Sequence, residues 1–504
     1  MPPRPLISRF FQEIAAIRAS RGRFGVVSCC FAGLFICLLH PLAWADPAPS
    51  RDEAADALRR GVAYFRDTVS IEGGYLWRYA ADFSEVEGEV PATRTAAWAQ
   101  PPGTPSVGLA YVTVYELTRD PYYLEAARET ATALVRTQLD SGGWDYRLEF
   151  APEDRKKYRY RVESDHNENA RNTSTLDDDT TQAALRCLMR VDQALEFSDR
   201  AIHEAATYAL KKLMEAQYPN GAWPQRFSGP PDPANYPVKP ASYPEDWPKA
   251  YPNAPYADFY TFNDNTLADT LEVMFMAGEI YQNDAYTRSG RRAGDFMILA
   301  QMPDPQPGWA QQYNADMHPA WARKFEPASI TGGESQGVMR SLLRVYELTG
   351  DRKYLAPLPR ALTYYKASLL EDGRLARFYE LKTNTPLYFT KDYEVTYSDA
   401  DMPTHYSFKS PSQLDAIEAH YEQLAAIPEG EWTPRRLVRP ATPGKTSDVL
   451  ADQAAKILKA QREDGAWVEP APARDRSRIE KGTPMLDART FSRNIVTLAR
   501  FIAA

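Results

Sequence analysis

Gln138-Leu139-Asp140-Ser141-Gly142-Gly143-Trp144 recurs as Gln217-Tyr218-Pro219-Asn220-Gly221-Ala222-Trp223 and as Gln461-Arg462-Glu463-Asp464-Gly465-Ala466-Trp467. Each copy ends a stretch with apolar residues at helical spacing. Before the first these are Leu124, Ala127, Ala131, Leu134 and Val135; before the second, Ile202, Ala206, Ala209, Leu210 and Leu213; before the third, Leu450, Ala454, Ile457 and Leu458. Glycine accepts the left-handed conformation that stops a helix. The tryptophan two residues on is expected to lay an apolar plate over the helix end. Looser copies are Glu72-Gly73-Gly74-Tyr75, Gln306-Pro307-Gly308-Trp309 and Asp372-Gly373-Arg374. A spacing of roughly 65 to 92 residues suits one or two helical hairpins per repeat. No long period-two alternation competes. The expected fold class is all-α, an α/α toroid (a helical-hairpin barrel) with long irregular loops over one face.

The chain has 504 residues, enough for one large core or two domains. Its first residues carry Arg4, Arg9, Arg18, Arg21 and Arg23 against Glu13 alone, then an apolar run from Phe24 to Leu39 and Pro41-Leu42-Ala43-Trp44-Ala45. This reads as a secretory signal peptide over 1–45, with Asp46 as the mature N-terminus and an uncleaved anchor as the alternative. Cys29, Cys30 and Cys37 lie in that leader, so Cys187 alone would survive maturation and no intrachain disulfide could form. The expected location is secreted or periplasmic, as a monomer with no membrane association once the signal is cleaved. Loss of the leader takes the formal charge from −8 to −12, which excludes a general nucleic-acid binder. A polyanionic partner would need local cations or a bridging metal.

Several segments offer chemistry. Thr175-Leu176-Asp177-Asp178-Asp179-Thr180 precedes a helix; it can be a cap, or a set of oxygen ligands for a hard cation such as calcium. Tyr260-Thr261-Phe262-Asn263-Asp264-Asn265-Thr266 is a second polar helix start. Pro319-Ala320-Trp321-Ala322-Arg323-Lys324-Phe325-Glu326-Pro327 is an irregular loop in which Arg323 can pair with Glu326 or Glu334, or act on a substrate. From Arg377 to Lys409, loop cations include Lys391 and His405. Ser228 to Pro255 is a proline-rich loop with Tyr236, Tyr243, Trp247 and Tyr251, suited either to stacking on sugars or to packing on the body. The histidines His166, His203, His318, His405 and His420 make no zinc pattern. Neither a P-loop nor a nucleotide-binding glycine fingerprint nor a nucleophile elbow is present.

In order, Thr175-Leu-Asp-Asp-Asp-Thr-Thr181, Asn220-Gly-Ala-Trp-Pro-Gln-Arg-Phe227, Tyr260-Thr-Phe-Asn-Asp264, Gly308-Trp-Ala-Gln-Gln-Tyr313, Pro319 to Pro327, Gly333-Glu-Ser335 and Arg377-Phe-Tyr-Glu380 resemble family 10 of the polysaccharide lyases, the pectate lyases of α/α-toroid type. The likeness covers roughly residues 170 to 410. It implies one catalytic domain over 46–504, with a lyase-like core over 170–410 and helices in 411–504 closing the toroid. It also implies calcium-dependent β-elimination on polygalacturonate, with Arg323 taking the C5 proton. Asp177 and Asp264, with Asp178 and Asn265 as helpers, would form the metal site. Trp223, Tyr260, Arg377, Lys391 and His405 would hold the acidic polysaccharide. Where relatives carry arginines in the later loop, this chain has Lys391, His405 and Lys409, without the planar fork. Two other readings stand beside it: a secreted glycan-binding protein on the same scaffold, and a terpene-cyclase-like α-toroid, although the latter's Asp-x-Asp-Asp would need an acid where Thr175 stands.

Overall fold

The computed structural model describes residues 49–163, 167–445, 447–474 and 477–504; the leader 1–45 and His166 lie outside them. Thirteen α-helices dominate the described residues: α1 (Arg51–Tyr64), α2 (Thr104–Thr118), α3 (Pro121–Arg136), α4 (Pro152–Arg155), α5 (Thr180–Ala194), α6 (Arg200–Glu215), α7 (Thr266–Tyr281), α8 (Asp284–Leu299), α9 (Gly333–Thr349), α10 (Leu358–Ala367), α11 (Leu414–Ala425), α12 (Asp448–Ala460) and α13 (Ala488–Ala503). The pairs α2–α3, α5–α6 and α7–α8 pack as hairpins. The helices α13, α2, α5, α7, α9 and α11 pack each on the next in that order, while α1 and α12 lie against α13 and each other. Among the described residues no helix is long and apolar enough to cross a membrane.

The protein is mostly helical, with short strands between the helices. Short antiparallel pairs tie the segment before a helix to the segment after the next Gly-x-Trp turn. Ala96–Trp98 pairs with Arg147–Glu149, Ser174–Thr175 with Arg226–Phe227, and Tyr260–Thr261 with Gln312–Tyr313. Ile330–Thr331 pairs with Phe378–Tyr379, and Pro484–Asp487 with Arg78–Ala80. Strands of two to four residues are too short to announce themselves by alternation.

The repeated motif does more than plate a helix end. The last turn of a helix leaves carbonyls without intrahelical partners. Here the indole N–H of each tryptophan donates to one of them: Trp144 to Leu134 at 2.9 Å, Trp223 to Leu213 at 2.7 Å, Trp309 to Met297 at 2.7 Å and Trp467 to Ile457 at 2.9 Å. The glutamine divides its amide between two carbonyls. Gln138 closes its own turn on Gly142 and staples it to Ala205 of α6; Gln217 reaches Gly221 and Ser289 of α8; Gln461 reaches Gly465 and Ala57 of α1. The central glycine is required twice over. Gly221 has φ +98°, and a Cβ there would collide with the Arg292 carbonyl.

At the opposite end, the segment after Trp432 crosses helix C-termini. Glu279 of α7 accepts from the backbone of Leu437 and Val438 at 2.7 and 3.0 Å, and Glu116 of α2 accepts from Ala441 at 2.8 Å. Irregular chain thus covers both ends rather than one face.

Separating plate from cap needs one pair of variants. Trp223→Phe keeps an aromatic ring but orphans the Leu213 carbonyl, and should cost about 1–3 kcal/mol. Trp223→Ala should cost more, about 3–5 kcal/mol. Denaturant melts of both checks the order; a Phe variant as stable as the parent overturns the capping role.

Candidate active site

Two helix starts are built alike. Asp177–Asp179 before α5 and Asn263–Asn265 before α7 are single turns whose last two residues are left-handed: Asp178 at φ 50°, Asp179 at 60°, Asp264 at 50° and Asn265 at 57°. Aspartate and asparagine are the side-chain-bearing residues that accept this region most readily, which accounts for the Asp-Asp and Asp-Asn pairs. The left-handed pairs separate the acids by role. Asp179 turns onto Arg186, whose Nη1 donates to its two oxygens at 2.6 and 2.8 Å. Asp177, Asp178 and Asp264 instead converge, with one carboxylate oxygen of each within 4.8 Å of the others.

Around this trio the hydrogen bonds are incomplete. Asp177 Oδ2 accepts from the Tyr146 hydroxyl at 2.8 Å and Asp264 Oδ2 from Asn263 Nδ2 at 2.5 Å. Asp177 Oδ1 and Asp178 Oδ2 are buried without a partner. Burial first, then the charges of Asp177 and Glu89, push the Asp178 carboxyl from 3.8 up to about 7. Burial, then the charges of Asp177 and Asp178, hold Asp264 well above its ordinary value. Three carboxylate donors this close, two of them with a buried oxygen that has no hydrogen-bond partner, are fitted to a hard cation. The trio could therefore hold a metal ion.

Arg323 stands against the cluster. Its Nη2 lies 2.7 Å from Glu326 Oε1 and 3.5 Å from Asp264 Oδ2, and its side chain is 17% exposed. Burial disfavours its charge, but Glu326, Tyr406 and Asp264 outweigh that and raise its pKa. Glu326 is itself fixed by Gln311 Nε2 at 2.8 Å and the Tyr406 hydroxyl at 3.1 Å. So Arg323 does pair with Glu326 and remains partly open beside the acids.

Other expected residues fall elsewhere. Trp223 is fully buried and spends its indole N–H on the helix cap, so it is not a sugar platform. Tyr260 is also fully buried, ringed by Tyr218, Tyr236 and Phe296. Arg377 is turned inward: its Nη2 donates to Glu334 at 2.6 Å and its guanidinium lies over Tyr406, so it braces the Tyr406–Glu326 side of the site. Lys391 is exposed and paired with Asp401 at 2.8 Å, and His405 packs edge-on against Phe325. Asn265 is exposed at its turn. The Ser228 to Pro255 loop packs on the body: Tyr236 meets Tyr218, and Trp247 Nε1 donates to the Ala328 carbonyl at 2.7 Å. Tyr146, Tyr406 and Arg226 were missed as site residues. Tyr146 and Arg226 sit two and three places beyond a repeated tryptophan, a position that the repeat itself could have flagged.

Residues 152–350 match the family model described as pectic acid lyase. No curated protein matches in sequence. Among solved structures, a family 10 polysaccharide lyase from Cellvibrio cellulosa is similar at 19% identity and TM-score 0.43, over 64% of this chain and 97% of that one. An aspartate-to-alanine mutant of a family 10 lyase from the same organism, in complex with trigalacturonic acid, is similar at 19% identity and TM-score 0.43, over 64% and 98%. A cellobiose 2-epimerase from Spirochaeta thermophila is similar at 13% identity and TM-score 0.42, over 90% and 96%.

The raised carboxyls of Asp178 and Asp264 set a pH dependence. Between about pH 4 and pH 7 the native cluster holds protons that the unfolded chain has released, so ion-free protein loses stability as pH rises through that window. Melting in chelator should be lower at pH 8 than at pH 5. A divalent cation should raise it more at pH 8, and Asp178→Asn should flatten both differences.

Proposed function

We propose that this protein is a pectate lyase that cleaves polygalacturonate by calcium-dependent β-elimination, leaving a 4,5-unsaturated sugar end. The observation that supports this most directly is Arg323 within 3.5 Å of Asp264, on the edge of the three-carboxylate cluster. Asp177, Asp178 and Asp264 would hold calcium, which when bound draws charge from the uronate carboxylate and so acidifies the neighbouring C5 hydrogen. Arg323, in its neutral form, would remove that hydrogen; the electron pair forms the C4–C5 double bond, and the C4–O4 pair leaves on O4, which takes a proton from water.

Two acids share the Arg323 guanidinium, Glu326 and Asp264. Both favour its protonated form, and an unperturbed arginine already titrates above about 12. Engagement of Asp264 with a cation leaves Glu326 as the sole strong partner, so the base works best in alkali. Tyr146 keeps Asp177 aimed at the cluster, and Asn263 does the same for Asp264. The helices α13, α2, α5, α7, α9 and α11 would form the inner ring of an α/α toroid in one domain over 46–504, as secreted or periplasmic protein.

The Arg323–Glu326 pair also favours a second reading, a protein that binds uronate without cleaving it. Absorbance near 235 nm with polygalacturonate and calcium at alkaline pH separates them. Arg323→Ala should lower kcat by about 10²–10⁴, and a chelator should abolish the signal. Binding with no absorbance change in the parent protein would establish the second reading.

A further inference from the structure

The strand after each repeated turn has a residue three places beyond the aromatic, and that residue is often arginine. Arg78 follows Tyr75, Arg147 follows Trp144 and Arg226 follows Trp223, while Arg377 stands at the same offset from Arg374. Most of these guanidiniums are committed to the fold. Arg78 bonds Glu87 and Asp487 at 3.1 Å each, and Arg377 bonds Glu334. Arg147 donates to the Pro91 carbonyl at 2.9 Å and lies 3.6 Å from Glu149.

Arg226 differs. Its acidic neighbour is Asp177, at 3.9 Å, beyond a good hydrogen bond. Its Nε–H is buried with no hydrogen-bond partner, while the side chain is 39% exposed. Pairing of Thr175 with Arg226 fixes the residue beside the turn that carries Asp177 and Asp178. Asp178 and the Tyr256 hydroxyl each feel both Arg226 and Arg323. Arg323 is the cation acting on Asp264, and Arg226 the one close to Asp177. Two guanidiniums therefore flank the cluster from its two sides.

We propose that Arg226 is a substrate-binding residue, gripping the carboxylate of the uronate unit next to the one held over the Asp177–Asp178–Asp264 cluster. The proposal rests on the polyuronate reading above and adds a second carboxylate subsite to it. A guanidinium with a partly open face presents a planar fork that fits a carboxylate. A methyl ester at that sugar removes the charge the fork recognises. Arg226 is then a determinant of preference for unesterified over esterified pectin.

Binding of tetragalacturonate and of its methyl-esterified form, measured by calorimetry with calcium, tests this. Arg323→Ala serves as the parent to prevent turnover. Adding Arg226→Ala should weaken the acid tetramer roughly tenfold or more and leave the ester unchanged. Arg226→Lys should recover part of the loss. An unchanged affinity, or equal losses on acid and ester, overturns the subsite. If the parent binds neither tetramer, subsite and polyuronate reading fall together. Binding that depends on Arg226, in a protein that gives no 235 nm product with Arg323 intact, sustains the subsite and overturns the lyase reading alone.

Discussion

One indole N–H on one helix-end carbonyl organises this protein, repeated from Trp144 to Trp467. A helix that stops inside a helical stack must satisfy its last carbonyls without water. The tryptophan does so while its ring fills the space beneath, and the glutamine four residues before the glycine joins that end to the next outer helix. The chain is then committed to leave in one direction. It does so as the short strand that pairs back with the segment leading into the inner helix of the same hairpin, so each cap fixes where that inner helix starts. Asp177 and Asp264 are delivered by two such starts.

The cluster is the place where the fold gives up stability. Three carboxylates sit close enough to oppose one another's ionisation, on backbone turns that side chains seldom adopt. The same turn that aims Asp178 at the cluster sends Asp179 the other way, into Arg186, which also lies 3.4 Å from Asp269 of α7. That partly buried pairing locks the left-handed step. An acid-rich run thus serves two purposes at once, and its third member is structural.

Much of this was legible and some was not, for identifiable reasons. The Gln-x-x-x-Gly-x-Trp repeat carries its own stop signal, so the helix ends and their periodicity can be read from residues alone. The two polar helix starts and the Arg323 loop were also visible as clusters of polar groups in irregular segments, though each had a capping or pairing reading as well as a chemical one. Burial was not visible. Trp223 and Tyr260 look like platforms in a string of letters, yet one caps α6 and the other fills an aromatic cluster. Arg377 shows the same limit: a motif gives its neighbours in sequence, while Glu334 and Tyr406 decide which way it points. Two-residue strands were illegible because alternation needs more length than they have.

The pairing of Arg323 with Glu326 is the feature that a base must overcome and a binding residue would keep. A fully committed guanidinium would be enclosed and satisfied on all sides; Arg323 keeps an open edge and a second, longer contact to Asp264. Glu326 in turn is held by Gln311, by Tyr406 and by the Arg323 backbone, so it cannot follow the arginine outward. The acid is thus an anchor that sets the arginine's height above the cluster, while the weaker contact to Asp264 is the one that charge on the cluster can release. Geometry of this kind holds a cation still until its neighbour is neutralised, which is what a base operating beside three carboxylates requires.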